Sequence, residues 1–309
     1  MKSRILVIGS SNIDFVCRMP KLPQMSECVV STDTYAFVPG GKGANSAVAA
    51  ARLGGDVVFC SRVGNDSYGH QLADKYENEG IDTRFVIKDK TARTGLVIIM
   101  VEQTGHKSVV GYPGANYNLC LNDVEGAFTT YPDALLMQLE IGTELVIEAT
   151  KMAEEKGIKV VLDTGLAKAD FPLESLGKLE ILSPNETETQ ILTGIMPNSS
   201  ESCLRACVNL MNRVQAKYIV LKLGERGCFV YDGIHCTHVA PVEIGYAVDT
   251  TAAGDAFTAA LTYKYLENGG DIVAACEFAN AVGAYVVTKQ GAFSSIPTIK
   301  ELEDFLKNK

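Results

Sequence analysis

The stretch VDTTAAGDAFTAALTYKYL, Val248 to Leu266, runs through Ala252-Ala253-Gly254 into Asp255 and then into an apolar helix-period segment. The first N–H groups of a helix have no partner inside it, and the helix dipole adds positive character there. Residues with almost no side chain let an anion approach those groups. Ala252, Ala253 and Gly254 therefore read as an anion hole for a developing phosphate charge. Asp255 lies within reach of the same point, where a carboxylate can take the proton from an attacking hydroxyl. The plainer alternative is a helix with an acidic first turn.

Four further stretches bear chemistry. In PGGKGANSAVAAARLGG, Gly40, Gly41 and Gly43 open an alanine-rich helix. The spacing is neither GxxxxGK[ST] nor GxGxxG, so it reads as close backbone approach to a ligand or as a tight turn. Asn12 and Asp14 follow the first strand, spaced by two so that they face one way in extended chain. Such a pair suits a polyhydroxyl ligand, or it is simply two loop residues. In SPNETETQILTG, Asn185 and Glu188 have capping-box spacing, and Glu188 can equally stand near a magnesium ion or its waters. LKLGERG places Lys222 to Gly227 at a strand's carboxyl end, where open α/β sheets bind ligands.

The chain of 309 residues is ample for a sizeable core, and its 47% hydrophobic and 21% charged fractions are those of a globular protein. A net charge of −9 without a Lys/Arg run argues against nucleic acid or an anionic membrane as partner. The apolar runs Ile5–Ile8 and Leu96–Val101 are too short for a signal peptide or a membrane span, so a cytoplasmic location is expected. Nine scattered cysteines read as free thiols packed in the core. In HCTH, Cys236 and His238 share a strand face, which is too few ligands for zinc.

Strands are predicted at Arg4–Gly9, Val57–Val63, Ala134–Leu139, Ile158–Asp163, Glu180–Ser183 and Tyr218–Leu223. Helices are predicted at Ala44–Leu53, Tyr68–Glu79, Glu144–Glu155, Glu186–Leu192, Glu201–Arg213, Gly254–Leu266, Ile272–Thr288 and Ile299–Leu306. The alternation implies an α/β fold, a parallel sheet covered on both faces. The rhythm breaks at Cys28–Val38 and at a hairpin turning over Glu102 to His106. These pieces read as a small separate sheet, a lid that could exclude water.

GGKGAN, PNETE and DTTAAGD, in that arrangement along Ile5 to about Pro297, resemble the ribokinase family of carbohydrate kinases. The resemblance implies one α/β domain over 1–309, a mostly parallel, doubly wound sheet flanked by helices. It implies a β-sheet lid from about 13–38 and 94–113 that forms a homodimer. The implied reaction is ATP-dependent phosphorylation of a sugar's primary hydroxyl, with D-ribose first among substrates. Asp255 would be the base, with Ala252, Ala253 and Gly254 in the anion hole. Asn12, Asp14, Gly40, Gly41, Lys42, Asn45 and Glu140 match sugar-holding positions. Asn185, Lys222, Gly224, Glu225, Arg226, Gly227, Gly254 and Asn280 match nucleotide-site positions. Glu188 matches a magnesium-linked glutamate acting through water. Asp249, Thr251, Val286, Lys289, Gly291 and Ser295 match a potassium site, several through backbone carbonyls.

Two stretches depart from the family pattern. The lid turn reads PQMSE in place of Pro-Gly-Glu, keeping Glu27, and Asp163-Thr164-Gly165 replaces Asn-Pro-Ala. Both are expected on the sugar side, where they bear on the choice of sugar. Deoxyribose, a ketohexose or a nucleoside are the alternative acceptors, and a catalytically silent sugar-binding protein is the alternative class. The intact Asp255 and its bare helix start argue against the silent reading.

Overall fold

The computed structural model describes residues 2–31, 33–104 and 106–307. Its strands are β1 (Arg4–Ile8), β2 (Asn12–Met19), β3 (Tyr35–Gly40), β4 (Asp56–Gly64), β5 (Asp82–Asp89), β6 (Gly95–Glu102), β7 (Lys107–Tyr112), β8 (Ala134–Gln138), β9 (Lys159–Asp163), β10 (Leu179–Ser183), β11 (Ala216–Lys222), β12 (Cys228–Tyr231) and β13 (Cys236–Val239). Its helices are α1 (Lys42–Arg52), α2 (Ser67–Asn78), α3 (Leu121–Phe128), α4 (Thr143–Glu155), α5 (Glu186–Thr193), α6 (Ser200–Met211), α7 (Ala253–Glu267), α8 (Ile272–Val286) and α9 (Ile299–Lys307).

A 9-stranded sheet has the order β13-β12-β11-β10-β9-β8-β1-β4-β5. It is parallel except where β12 and β13 add antiparallel at one edge. Successive side chains along a strand point to opposite faces. Ile5 and Val7 accordingly enter the apolar layer under α1, α2, α7, α8 and α9. Leu6 and Ile8 enter the layer under α3 to α6. Burial on both faces is why these strands read as unbroken apolar runs.

The expected strands and helices are present with their ends moved by a residue or two. Sequence pattern missed β2, β5, α3 and β12, and it drew one strand too long. Residues 28–34 are not strand where described, and β3 begins only at Tyr35. Thr32 and Gly105, which fall within the expected lid strand and hairpin turn, lie outside the described residues. Five cysteines are buried as expected, but Cys28, Cys120 and Cys236 are exposed and Cys17 is half-buried.

A second, 4-stranded sheet has the order β3-β2-β6-β7. Asn12 and Asp14 are therefore not loop residues but the opening of β2, paired across to Gly40 and Val38. Alternation puts Ile13 and Phe15 on the other face. There Phe15 packs on Tyr35 and Phe37, and Phe37 reaches Tyr68 of α2 at a centroid distance of 5.5 Å. Aromatic packing thus ties the small sheet to the body on the face turned away from Asn12 and Asp14.

The chain places β4 and β5 on one side of β1 and β8 to β11 on the other. The crevice past the carboxyl ends of β1 and β8 is thus the switch point at which open α/β sheets bind ligands. Two buried helices start there. Helix α1 comes so close to β1 that a Cβ on Gly43 would stand 2.6 Å from the Gly9 Cα. Helix α7 is buried along most of its length, from Asp255 to Thr262.

Candidate active site

Helices α2, α5, α6 and α8 carry side-chain N-caps, from Asp66, Asn185, Ser199 and Asp271. Helices α1 and α7, which begin at the switch point, have none. The N-cap of α7 is Ala252, held in the left-handed region at φ 63°. For a residue with a Cβ that conformation costs about 1–3 kcal/mol. The Ala253 N–H bonds the Thr250 carbonyl at 3.2 Å and the Ala256 N–H the Ala252 carbonyl at 2.9 Å. Among the described residues the Ala252, Gly254 and Asp255 N–H groups have no such partner. The donors open to an anion are therefore those of Ala252, Gly254 and Asp255 rather than that of Ala253.

Asp255 does not cap its own helix. Its Oδ2 accepts from Asn45 Nδ2 at 2.7 Å, and its Oδ1 is 3.6 Å from Lys42 Nζ. Both partners lie on the first turn of α1, so the GGKGAN stretch and the DTTAAGD stretch meet side chain to side chain. Asp255 above all, then Asp163, Glu140 and Glu188, outweighs burial and holds the Lys42 ammonium charged well above the usual range.

The acceptor side is built from the two sheets together. Glu140, just past β8, accepts from Ser10 Oγ, from the Lys42 N–H at 2.9 Å and from Asn12 Nδ2 at 3.3 Å. Asn116 donates to Asn12 Oδ1 at 2.7 Å and accepts from the Ser11 N–H at 2.8 Å. A Cβ on Gly95 would stand 2.2 Å from Asn12 Oδ1, and one on Gly40 would stand 2.3 Å from Asp14 Oδ2. These glycines leave the room that the polar side chains fill. Gly41, at φ +96°, supplies the sharp entry to α1. Asp14 and Asn45 are buried, yet Asp14 Oδ1 and Asn45 Oδ1 have no hydrogen-bond partner. Burial first, then the neighbouring Glu140 and Asp255, pushes the Asp14 carboxyl up to about 7. Orphaned acceptors beside a candidate base call for a ligand with hydroxyl donors.

On the other side of the α7 start opens a cavity of about 750 Å³. Lys222, Gly224, Glu225, Arg226, Gly227 and Asn280 line it, with Ala253 and Gly254. Asn185 does not line it, because its side chain is closed in a reciprocal cap with Glu188. Asn185 Nδ2 holds Glu188 Oε1 at 2.7 Å, while the Asn185 N–H and Thr164 Oγ1 reach Oε2 at 2.9 and 3.0 Å. Both Glu188 oxygens are thus held, by the cap and by Thr164.

Asp249 accepts from the Thr251 N–H and hydroxyl and, at 2.9 Å, from the Gly291 N–H. The Lys289 N–H bonds the Val286 carbonyl, and Ser295, fully buried, donates to the Ala292 carbonyl. Among the described residues, no group of three or more His, Cys, Asp or Glu side chains could hold a metal.

Within Asp163-Thr164-Gly165 the expectation is corrected at Asp163 alone, since Gly165 lies against the Lys42 side chain. Asp163 pairs with Lys222 Nζ and with Thr258 Oγ1, toward the cavity rather than toward Asn12. Sequence reasoning also left out Asn116, Gly95, Ser10 and Thr258. The Pro-Gly-Ala-Asn at 113–116, closing the hairpin with the same Gly-Ala-Asn as 43–45, was the one visible signal.

Comparison with known proteins decides between chemistries. The pfkB family of carbohydrate kinases matches residues 2–299. The chain belongs to that family. It is therefore a sugar kinase, transferring a phosphoryl group to an alcohol. It is 36% identical to a ribokinase of Haemophilus influenzae over 310 residues, covering 100% of both chains. It is 31% identical to a deoxyribokinase of Salmonella typhimurium over 304 residues, covering 98% of each. Its fold matches the structure of Arabidopsis thaliana ribokinase complexed with ribose and ATP with a TM-score of 0.90, at 29% identity and covering 99% of both chains. Among the described residues no helix is long and apolar enough to cross a membrane.

Proposed function

We propose that the chain phosphorylates the primary hydroxyl of D-ribose, with Asp255 as the base and ATP as the donor. The observation that carries this reading is the pair of buried acceptors, Asp14 Oδ1 and Asn45 Oδ1, left without partners beside Asp255. Two acceptors ask for two donors. A sugar that lacks one hydroxyl leaves one acceptor unpaired, at a cost of about 1–3 kcal/mol. That favours ribose over deoxyribose, and the ribokinase relatives favour it too. The aromatic cluster of Phe15, Tyr35 and Phe37 lies on the wrong face of β2 to clamp a nucleoside base.

In this reading Asn12, Asp14 and Asn45 orient the sugar, with Gly40, Gly41 and Glu140 shaping the floor around it. Asp255 takes the proton from the hydroxyl that attacks. The Gly254 and Asp255 N–H groups receive the charge that develops on the transferred phosphoryl. Lys222, Gly224 to Gly227 and Asn280 hold the nucleotide. Glu188 would hold a magnesium ion through water, and the ion would supply charge neutralisation. A potassium ion would be held by carbonyls near Asp249, Thr251, Val286, Lys289, Gly291 and Ser295, with Asp249 as the anionic group among them.

The whole chain is one domain in this reading, and the four-stranded sheet is its lid. The exposed Tyr35, Val110 and Tyr112 share one face of that sheet and offer an apolar surface for a second copy. A coupled ATP assay across pentoses, deoxyribose and ketohexoses tests the assignment. D-ribose should give the highest kcat/KM. A deoxyribose or ketohexose value about tenfold higher would overturn the choice of sugar.

A further inference from the structure

Asp163, Thr164 and Gly165 are consecutive, and each lies against a different charged residue, Lys222, Glu188 and Lys42. Asp163 ends β9 and Lys222 ends β11, with β10 between them. Strands lie about 4.7–4.9 Å apart, so the Lys222 side chain crosses a whole strand to reach its partner. It does so on the face covered by α7, over the small, buried Ser183. The pair is buried, at 9% and 2% side-chain exposure. Thr258, one turn along α7 from Gly254, donates to Asp163 Oδ2 at 2.6 Å, and the Gly165 N–H donates to Oδ1 at 2.9 Å. Burial alone would raise the Asp163 carboxyl, but Lys222, Lys42 and these hydrogen bonds hold it below the usual carboxylate range.

The result is a lysine fixed at a particular point. A Cβ built on Gly254 would find Lys222 Nζ as its nearest neighbour, at 3.7 Å. The ammonium thus lies beside the open N–H groups of α7. The next two residues serve the same end of the site. Thr164 Oγ1 bonds Glu188, and a Cβ on Gly165 would stand 2.7 Å from the Lys42 Cε, so the glycine gives Lys42 its path toward Asp255.

We propose that Asp163 is a positioning residue that sets the Lys222 ammonium at the start of α7 as a cationic contact for the transferring phosphoryl group. The proposal rests on the kinase reading above. It assigns Asp163, the first of the altered residues, to phosphoryl transfer. A buried pair that loses one partner keeps an uncompensated charge, whereas one that loses both can be neutral for stability. A pair that serves only the fold and a pair that serves transfer therefore differ in the double variant.

The test uses Asp163→Asn, Lys222→Met and the double variant in the full chain. It measures ATP binding by titration, D-ribose Kd, kcat and melting temperature. Each single variant should lose about tenfold or more in kcat, with the sugar Kd within about twofold of the parent. The double variant should fold as well as the parent and be no slower than the Lys222→Met protein within about threefold, because Asp163 acts through Lys222. Losses that multiply in the double variant would overturn the proposal. So would a double variant that regains parental kcat together with its stability, which marks a purely structural pair. If the unsubstituted chain binds ATP and phosphorylates sugar while either of these results holds, the positioning role alone falls. If it binds no ATP, the kinase reading and the proposal fall together.

Discussion

Replacing Gly254 with alanine separates packing from chemistry at the start of α7. The residue is helical and has no left-handed φ, so alanine meets no backbone strain. An added Cβ would have only Lys222 Nζ within 4 Å, at an ordinary contact distance of 3.7 Å. Nothing in the core is displaced. Glycine in a helix costs roughly 0.5–1 kcal/mol relative to alanine, so the variant should melt no lower than the parent. The methyl group, however, stands in the space through which an anion would reach the Gly254 N–H. Losing one such donor typically lowers turnover by about 10²–10³, or about 2.7–4 kcal/mol of barrier. Thermal melting and coupled turnover on one sample check both halves. Gly43→Ala is the contrast, since its Cβ would stand 2.5 Å from the Gly9 carbonyl carbon. Overpacking of that kind costs about 1–3 kcal/mol, and activity there should fall in step with the folded fraction. A Gly254→Ala protein with an unchanged melt and turnover within about twofold of the parent would refute the anion-hole reasoning.

Asp255→Asn should keep the contact with Asn45 and the fold but lose about 10²–10⁴ in kcat, and a loss below about twofold would remove Asp255 from the role of base. The sugar affinity should depend on pH through Asp14, whose carboxyl titrates near 7 in the free protein. Below that pH Asp14 carries a proton, and sugar hydroxyls that donate to a carboxylate favour its ionised form. Binding therefore releases a proton, and the D-ribose Kd should weaken toward about tenfold per unit as pH falls below 7, while staying flat above it. Calorimetry in two buffers of different ionisation enthalpy counts that proton, and a Kd flat across the range with no proton released sinks the role of Asp14.

The sheet was legible in the sequence because its strands are buried on both faces, so runs such as Ile5–Ile8 stand out as unbroken apolar segments. The edges were not. Strand β5 carries charges along its length and β12 has four residues, so neither pattern nor length separates them from loop. At the site, DTTAAGD and GGKGAN were legible because small residues crowd where an ordinary helix start would carry a cap. What joins those stretches was not legible. Asn45 lies 210 positions from Asp255, and Asp163 lies 59 from Lys222, and no local rule relates them. Asp163 was read as a sugar-side change because position along a strand does not say which neighbour a long lysine will cross to meet.

The division between the two sheets bears on how such a protein can change over evolutionary time. Asn12 and Asp14 sit on a strand whose neighbours, β3 and β6, belong wholly to the small sheet. The candidate base and the anion-binding helix start belong to the large one. A lineage can thus revise the part of the acceptor site that Asn12 and Asp14 supply by altering one four-stranded module, with the transfer apparatus inherited unchanged. The constraint is register. A slip of one residue between β2 and β3 would turn Asn12 and Asp14 to the aromatic face and bring Ile13 and Phe15 to the sugar. Substitutions within that sheet are therefore an open path to new specificity, and single-residue insertions or deletions in it are a closed one.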